Sequence, residues 1–408
     1  MKRYKELLAM PHVVILAIAA FPGRLGYSMI ALGTFFKTQQ ATGSVATAGL
    51  AIGLYSLTGS FTAGIRAYAL ERWGQKWPLR ILVPSYTAMI IAFNSMESRE
   101  SLLITALLLG ITAPPINLAV RPLWKDIVPD NFLRTAYALD TSMMSFTTVI
   151  GPILITFLSL SSRPELGLAV IAGLMLIGGL ALSATSVSKN WIPEKKAKDQ
   201  QKLWRDRAIQ LLMFEGCFIG FGIGVFNVAV PAFATQEGVA QRVAWIFAAF
   251  GLANMIGGLL GGLVSKKLAP LSALLRAYAL WVLACIPLAF TYPDWTITIV
   301  GAAIGFIHGA FQVFYFEVLE AVRPHGTQAS SIAWVWSIEG SFMAAGAAVG
   351  GFVSEHYSPR AGLALTPMML MFGLIVFIIG KSRLSAANDV PTDEEDLRAI
   401  KDLSNEVK

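Results

Sequence analysis

Charged side chains are scarce in this chain of 408 residues, since Asp, Glu, Lys and Arg make up only 14% of it. A soluble globular domain carries about 25%. Hydrophobic residues reach 55%, and the mean hydropathy is +0.61. This composition excludes an ordinary soluble domain, because too much apolar surface would face water. Most of the chain is expected to lie in a lipid bilayer.

Cysteine and histidine are also rare, with two and four residues. Cys217 and Cys285 both fall within apolar runs, which is typical of small core residues rather than of a disulfide or a metal site. There is no Walker sequence, and Gly220-Phe-Gly222-Ile-Gly224 lacks the strand that precedes a dinucleotide-binding loop. The sequence therefore predicts no metal, no cofactor and no catalytic residues.

Apolar runs of about 20 residues recur along the chain, each long enough to span a hydrocarbon core of about 30 Å. Runs such as 102–111 do not alternate between polar and apolar residues, which excludes a transmembrane β-barrel. Backbone groups in lipid must be hydrogen-bonded within their own segment, so the runs are predicted to be helices. The predicted spans are 12–36, 44–68, 79–96, 101–121, 134–158, 166–188, 207–234, 240–264, 270–290, 295–318, 328–355 and 361–381.

These spans divide into two similar halves. Pro129 and Pro324 follow the fourth and tenth spans at the same offset that separates Glu71 from Lys266. This repeat predicts two pseudo-symmetric six-helix bundles. The predicted boundaries are an N-terminal bundle at 1–188, a cytoplasmic linker at 189–206, a C-terminal bundle at 207–381 and a cytoplasmic tail at 382–408.

The net charge of +7 comes from basic residues that crowd alternate loops. The opposite loops carry only Lys37, Arg99, Arg163, Arg242 and Arg360. The asymmetry is a topology signal and predicts that both termini are cytoplasmic in a cell inner membrane. We expect membrane lipids as neighbours, no nucleic acid, and a monomer.

A short charged turn separates the second and third spans, and it reads Ala67-Tyr-Ala-Leu-Glu71-Arg72-Trp-Gly74-Gln75-Lys76. Together with the six-plus-six arrangement, this turn resembles the major facilitator superfamily. The signature of that family between its second and third spans is Gly-x-x-x-Asp-Arg-x-Gly-Arg-Arg/Lys. Three positions match, Glu71 is a conservative replacement, and Ala67 and Gln75 depart from the signature.

The resemblance implies the twelve-helix fold of that superfamily and transport by alternating access. It also implies that Glu71, Arg72, Gly74 and Lys76, with Lys266 and Lys267 of a second turn, form gating latches. The alternative for these residues is simple positive-inside anchoring. Gly151-Pro152 in span 5 resembles the core of the family's antiporter motif and favours export, whereas the alternative is a proline kink.

Ionisable groups within the spans are candidates for function, because they are costly in a bilayer. The resemblance implies that spans 1, 4, 7 and 10 line a central cavity. Arg24, with Tyr27 nearby in span 1, is predicted either to bind a substrate anion or to pair with a buried acid. Asn117, beside two prolines in span 4, is a further cavity candidate. Arg121 and Asp140 are predicted to form a structural or gating pair.

Two carboxyl groups are candidates for carrying protons, since a carboxyl in a low-dielectric site can hold a proton at neutral pH. Glu339 in span 11 is ranked above Glu215 in the cytoplasmic half of span 7, because Asp206 and Arg207 lie only about two turns away and an interfacial position is the alternative for Glu215.

Span 10 carries polar residues on one helical face, and His308, Gln312 and Tyr315 are interpreted as a cavity wall, with Trp336 of span 11 as a neighbour. The alternative is packing through inter-helix hydrogen bonds.

We therefore predict a secondary active transporter that moves a small organic molecule across the cytoplasmic membrane, with proton-coupled efflux as the leading interpretation. Proton-coupled uptake of a small metabolite is the alternative. A membrane enzyme or lipid-handling protein is a remote alternative, because no clustered catalytic set is present.

Overall fold

The computed structural model describes residues 2–192, 205–261, 269–323 and 328–388. The second charged turn, with Lys266 and Lys267, lies outside the described residues. So do most of the predicted linker and the tail beyond residue 388. The helices within the described residues are α1 (Lys2–Leu8), α2 (Val13–Thr42), α3 (Val45–Trp73), α4 (Lys76–Ser95), α5 (Arg99–Thr112), α6 (Ile116–Ile127), α7 (Asp130–Ser159), α8 (Glu165–Ala184), α9 (Ser186–Asn190), α10 (Arg207–Gln236), α11 (Arg242–Gly261), α12 (Pro270–Cys285), α13 (Trp295–Val322), α14 (Gln328–His356) and α15 (Pro359–Gly380).

Helix lies at every predicted span, with boundaries that differ by a few residues. Within the described residues, ten helical stretches are long and apolar enough to cross a bilayer, and α4 and α14 are not among them. The predicted all-helical membrane fold is confirmed, while the count of twelve crossings stays a prediction. Short 3₁₀ segments continue α12 through Ile286–Phe290 and α15 through Lys381–Asn388.

Polar caps and glycines define where the helices begin and end. Ser44, Ser98 and Ser358 each accept a backbone N–H at the start of a helix, because the first turn has no intrahelical acceptor. Asp294 caps α13, and its hydrogen bonds with Thr296 hold the pKa of this loop carboxyl below its usual value. These caps fix the short connections between successive spans.

The fourth span is divided into α5 and α6 at Ala113-Pro114-Pro115, because proline lacks the N–H that a continuous helix needs. The carbonyl groups freed at the end of α5 are satisfied by other helices. Arg66 of α3 donates to the Ala113 carbonyl, and Tyr27 of α2 donates to that of Pro114. The break is therefore held by side chains from two neighbouring helices.

The buried apolar residues form two clusters. The first draws mainly on α1–α8, with a few residues from α10, α11 and α14, and the second draws on α10–α15. The two groups of helices meet where α3 packs on α14 and where α7 packs on α11. The contact of α3 with α14 and that of α7 with α11 therefore join the two groups of helices.

Candidate functional site

The contact between α3 and α14 is close at the end of the bundle opposite the N-terminus. A Cβ added at Gly49 would lie 2.5 Å from the carbonyl oxygen of Ala347, and one added at Gly53 would lie 2.8 Å from that of Ala344. Glycine at these positions lets two backbones touch, which side chains would prevent. The two groups of helices are thus in direct contact at this end.

The same end carries a polar contact between the two groups. A carboxylate oxygen of Glu355 accepts hydrogen bonds from Ser44 Oγ and from the Ala46 backbone N–H, both at 2.7 Å. Glu355 of α14 therefore supplies an acceptor and a negative charge to the N-terminus of α3, where the helix dipole favours both.

Replacing Glu355 with alanine should weaken this contact by about 1 kcal/mol, roughly a fivefold change in population, as for other helix caps. The measurement is hydrogen–deuterium exchange of peptides that cover residues 43–52, which should exchange faster in the variant. Glu237→Ala is the matched control, since that exposed residue ends α10 at the same side of the bundle. Equal exchange in both variants would show that Glu355 does not hold the two groups together.

A buried ion pair links α2 to α7. Arg24 Nη1 donates to Asp140 Oδ1 at 2.7 Å, and both side chains are only 3% exposed. Trp124 of α6 donates its indole N–H to the same oxygen at 2.9 Å. Arg24 Nε also donates to Asn117 Oδ1 at 3.2 Å. The arrangement is that of Arg24 as counter-ion to a buried acid.

The expected pairing of Asp140 with Arg121 is not what the structure contains. Arg121 is exposed on α6, and Asp140 meets Arg24 instead. The two residues that were assigned to separate roles are thus one pair. The reason lies in the tertiary packing of α2 against α7, which sequence spacing does not reveal. Asn117, the other cavity candidate of span 4, lies in the same network.

The first charged turn shows an exposed half and a buried half. Glu71 and Arg72 are exposed, Gly74 adopts a positive φ of 70° as it ends α3, and Lys76 lies over the ring of Trp77. Gln75 is buried. It donates from its amide to the Ala119 carbonyl at 2.8 Å, and its amide oxygen accepts from Ser188 Oγ at 3.0 Å.

Gln75 therefore joins the turn to α6 and α9. From the sequence, this position was notable only as a departure from the family signature. In α7, Gly151 lies against α2, because a Cβ added there would be 2.0 Å from Ser28 Oγ. Pro152 lies inside the same helix.

The two candidate carboxyls occupy different environments. Glu215 of α10 is fully buried, and neither of its oxygens has a hydrogen-bond partner among the described residues, although the Tyr278 hydroxyl is nearby. Glu339 of α14 is half-buried, and its backbone lies against Gly220 of α10. The alternative that Glu215 is merely interfacial is not tested by its burial, although the residue is enclosed on a helix that packs against α14 and α15.

The predicted polar face of span 10 is divided. Asn254 of α11 donates its amide N–H to His308 Nδ1 at 2.8 Å, as the packing alternative expected. Tyr315 is buried against Phe311 and Phe377, and Gln312 is exposed. Trp336 is half exposed and meets Phe316 edge to face. The structure does not bring these four candidates together in one wall.

Sequence reasoning missed Arg66, Asn254, Trp124 and Glu355. Arg66 and Asn254 carried a usable signal, since both are polar residues inside apolar runs. Arg66 was counted with the loop because it lies near the predicted end of span 2. Nothing in the sequence singles out Glu355 or Trp124, whose roles depend on which helices pack against them.

The described residues form helices, and two groups of these helices meet through glycine contacts, which is the architecture of a multi-pass membrane protein. The family model of the Major Facilitator Superfamily matches residues 16–338 and, overlapping them, 212–405. The chain belongs to this superfamily, as the resemblance predicted.

Two relatives and one solved structure extend this comparison. The chain is 23% identical to the uncharacterized MFS-type transporter y4rN of Sinorhizobium fredii, over 96% of this chain and 97% of that protein. It is 25% identical to the uncharacterized MFS-type transporter YtbD of Bacillus subtilis, over 85% and 88%. The crystal structure of the nucleoside transporter NupG covers 92% of this chain and 99% of its own, with a TM-score of 0.70 and 13% identity, which shows a shared fold.

Proposed function

We propose that this protein exports a small organic molecule across the cytoplasmic membrane in exchange for protons, by alternating access between two six-helix bundles with both termini in the cytoplasm. The observation that carries proton coupling is Glu215, a carboxyl buried within α10 without a hydrogen-bond partner among the described residues. An unpaired carboxylate in such a place costs several kcal/mol, so the group is neutral here.

Glu339 adds to this argument. It lies on α14, which packs against α10, with its backbone beside Gly220, five residues after Glu215. Two carboxyls that interact at low dielectric do not both ionise, because like charges repel. We therefore expect this part of the protein to hold a proton in the present conformation. Exposure of the pair to water in another conformation would release it.

Alternating access is supported by the contacts between the two groups. The glycine-lined approach of α3 to α14 and the hydrogen bonds of Glu355 close one end of the bundle. A transporter must break such contacts once per cycle. Contacts made by small residues and a few exposed hydrogen bonds need little free energy to separate. The match of Gly151-Pro152 to an antiporter motif favours export over uptake.

The test uses the purified full-length chain in liposomes. A thermal-shift screen of metabolites and drugs first identifies stabilising compounds, and their flux is then measured under imposed pH gradients with a pH-sensitive dye in the lumen. Export predicts that substrate and protons move in opposite directions. Movement in the same direction would establish the uptake alternative, and absence of flux under either gradient would contradict both.

A further inference from the structure

An apolar cavity of about 120 Å³ lies inside the second group of helices, between α10, α11, α12, α13 and α15. The sequence did not indicate that Trp281 and His308 lie at one cavity. We propose that this cavity binds a planar aromatic ring that carries a hydrogen-bond acceptor, and that this ring is part of the transported molecule. The second half of this statement rests on the proposed function.

The cavity walls are rings and branched aliphatic side chains. Phe226 and Phe250 face each other with centroids 5.5 Å apart, and Ile304 and Leu370 line other parts of the wall. Aromatic side chains recognise a flat ring through offset or edge-to-face contacts. An apolar cavity of roughly 150 Å³ is known to bind benzene, so the volume here suits one five- or six-membered ring.

Two N–H groups give the cavity its polar character. The indole of Trp281 lines it, and its Nε1–H is buried without a hydrogen-bond partner among the described residues. His308 packs on Trp281 with ring centroids 4.6 Å apart. Because Asn254 donates to His308 Nδ1, the proton of the neutral imidazole is on Nε2, which is a second donor. A ligand that satisfies these donors must carry an acceptor.

Charge and access are consistent with an uncharged ligand ring. Of the described residues that line the cavity, His308 alone has a side chain that can carry a charge near neutral pH. His308, Asn227 and Phe250 are half-buried, while Cys285, Thr366 and Leu370 behind them are buried. A ring would therefore enter past His308 and Asn227 and reach the buried wall of α12 and α15.

The experiment measures ¹⁹F line broadening of three small probes with the full-length protein in nanodiscs, with empty nanodiscs as the reference for partition into lipid. The probes are 3-fluoropyridine, which has a ring acceptor, fluorobenzene, which lacks it, and fluorocyclohexane, which is not aromatic. We expect 3-fluoropyridine to bind about three- to tenfold more tightly than fluorobenzene, the effect of one hydrogen bond. Fluorocyclohexane should show no broadening beyond that of empty nanodiscs.

Three variants localise the binding. Trp281→Phe removes one donor, so the preference for 3-fluoropyridine should fall at least twofold. Trp295→Phe is the matched control on an exposed tryptophan and should change nothing. Ile304→Trp should fill the cavity and abolish broadening by both aromatic probes, and Leu370→Phe replaces it if that variant fails to fold.

Equal binding of fluorocyclohexane and fluorobenzene would overturn the proposal, because it would indicate apolar volume alone. Probe binding that survives both filling substitutions would also overturn it. These outcomes are distinct from those of the transport assay. Proton-driven flux without probe binding would contradict only the aromatic cavity, whereas probe binding without flux would contradict the proposed function, and with it the claim that the bound ring is part of a transported molecule, but not the cavity itself.

Discussion

Replacing Arg24 with methionine should destabilise the protein by about 3–5 kcal/mol, the range found when one partner of a buried ion pair is removed. Among the described residues, the remaining Asp140 would be a buried charge that keeps the hydrogen bond from Trp124 but has lost its cation. The measurement is thermal unfolding of the purified protein in detergent, where the midpoint should fall by several degrees.

The chain offers a matched control for this prediction. Lys37 and Glu97 form an ion pair of the same length, 2.7 Å, but their side chains are 17% and 75% exposed. Lys37→Met should therefore change stability by no more than about 1 kcal/mol. The two variants test burial at a fixed N–O distance.

A second substitution tests the cause. Asp140→Asn in the Arg24→Met protein removes the unpaired charge and keeps an acceptor for the Trp124 indole. Most of the lost stability should return. A double variant as unstable as Arg24→Met would mean that the side chain of Arg24, and not its pairing, supports the fold.

Replacing Glu215 with glutamine should reduce flux driven by a pH gradient to that of protein-free liposomes, because glutamine has nearly the shape of glutamic acid but cannot release a proton. Exchange of substrate without a gradient should persist, since the path through the protein is intact. Both fluxes are measured on the same proteoliposomes with a substrate found in the thermal-shift screen.

Two further variants make this prediction specific. Glu339→Gln should slow the coupled flux without abolishing it, because this half-buried residue is less enclosed than Glu215 and so is expected to assist it rather than replace it. Glu100→Gln, at an exposed site in the first turn of α5, should leave both fluxes unchanged. Wild-type pH dependence in Glu215→Gln would remove Glu215 from the coupling role and return Glu339 to first place.

The order of these two carboxyls shows a limit of sequence reasoning. Glu215 ranks second from the sequence because Asp206 and Arg207 precede it by only about two turns, which leaves an interfacial position open. The structure surrounds it with other helices, so distance along the chain from charged residues did not measure distance from water. Burial depends on which helices pack together, and only long-range contacts determine that.

The same limit applies to Arg24. Its position between small residues in an apolar run indicated a functional or structural charge, and the sequence left both alternatives open. Asp140 is more than a hundred positions away in the chain, and its pairing with Arg24 depends on the approach of α2 to α7 through Gly151. Spacing instead favoured Arg121, which is nearer in sequence.

By itself, the sequence determined the membrane environment, the helical fold, the approximate helix boundaries and the superfamily. These follow from local properties, because the length and hydropathy of a run, a proline pair or a glycine turn act within a few residues. The residue types of the Ala67–Lys76 turn indicated the superfamily, but they did not indicate that Gln75 is buried and bonded to α6 and α9.

Tertiary structure alone decided the partners. It paired Arg24 with Asp140, assigned Glu355 to the N-terminus of α3, buried Glu215, and placed Trp281 and His308 at one cavity, with Asn254 hydrogen-bonded to His308. Each of these is a contact between helices far apart in the chain. Such contacts depend on the shapes of packed surfaces, which residue type and local spacing do not encode in a readable form.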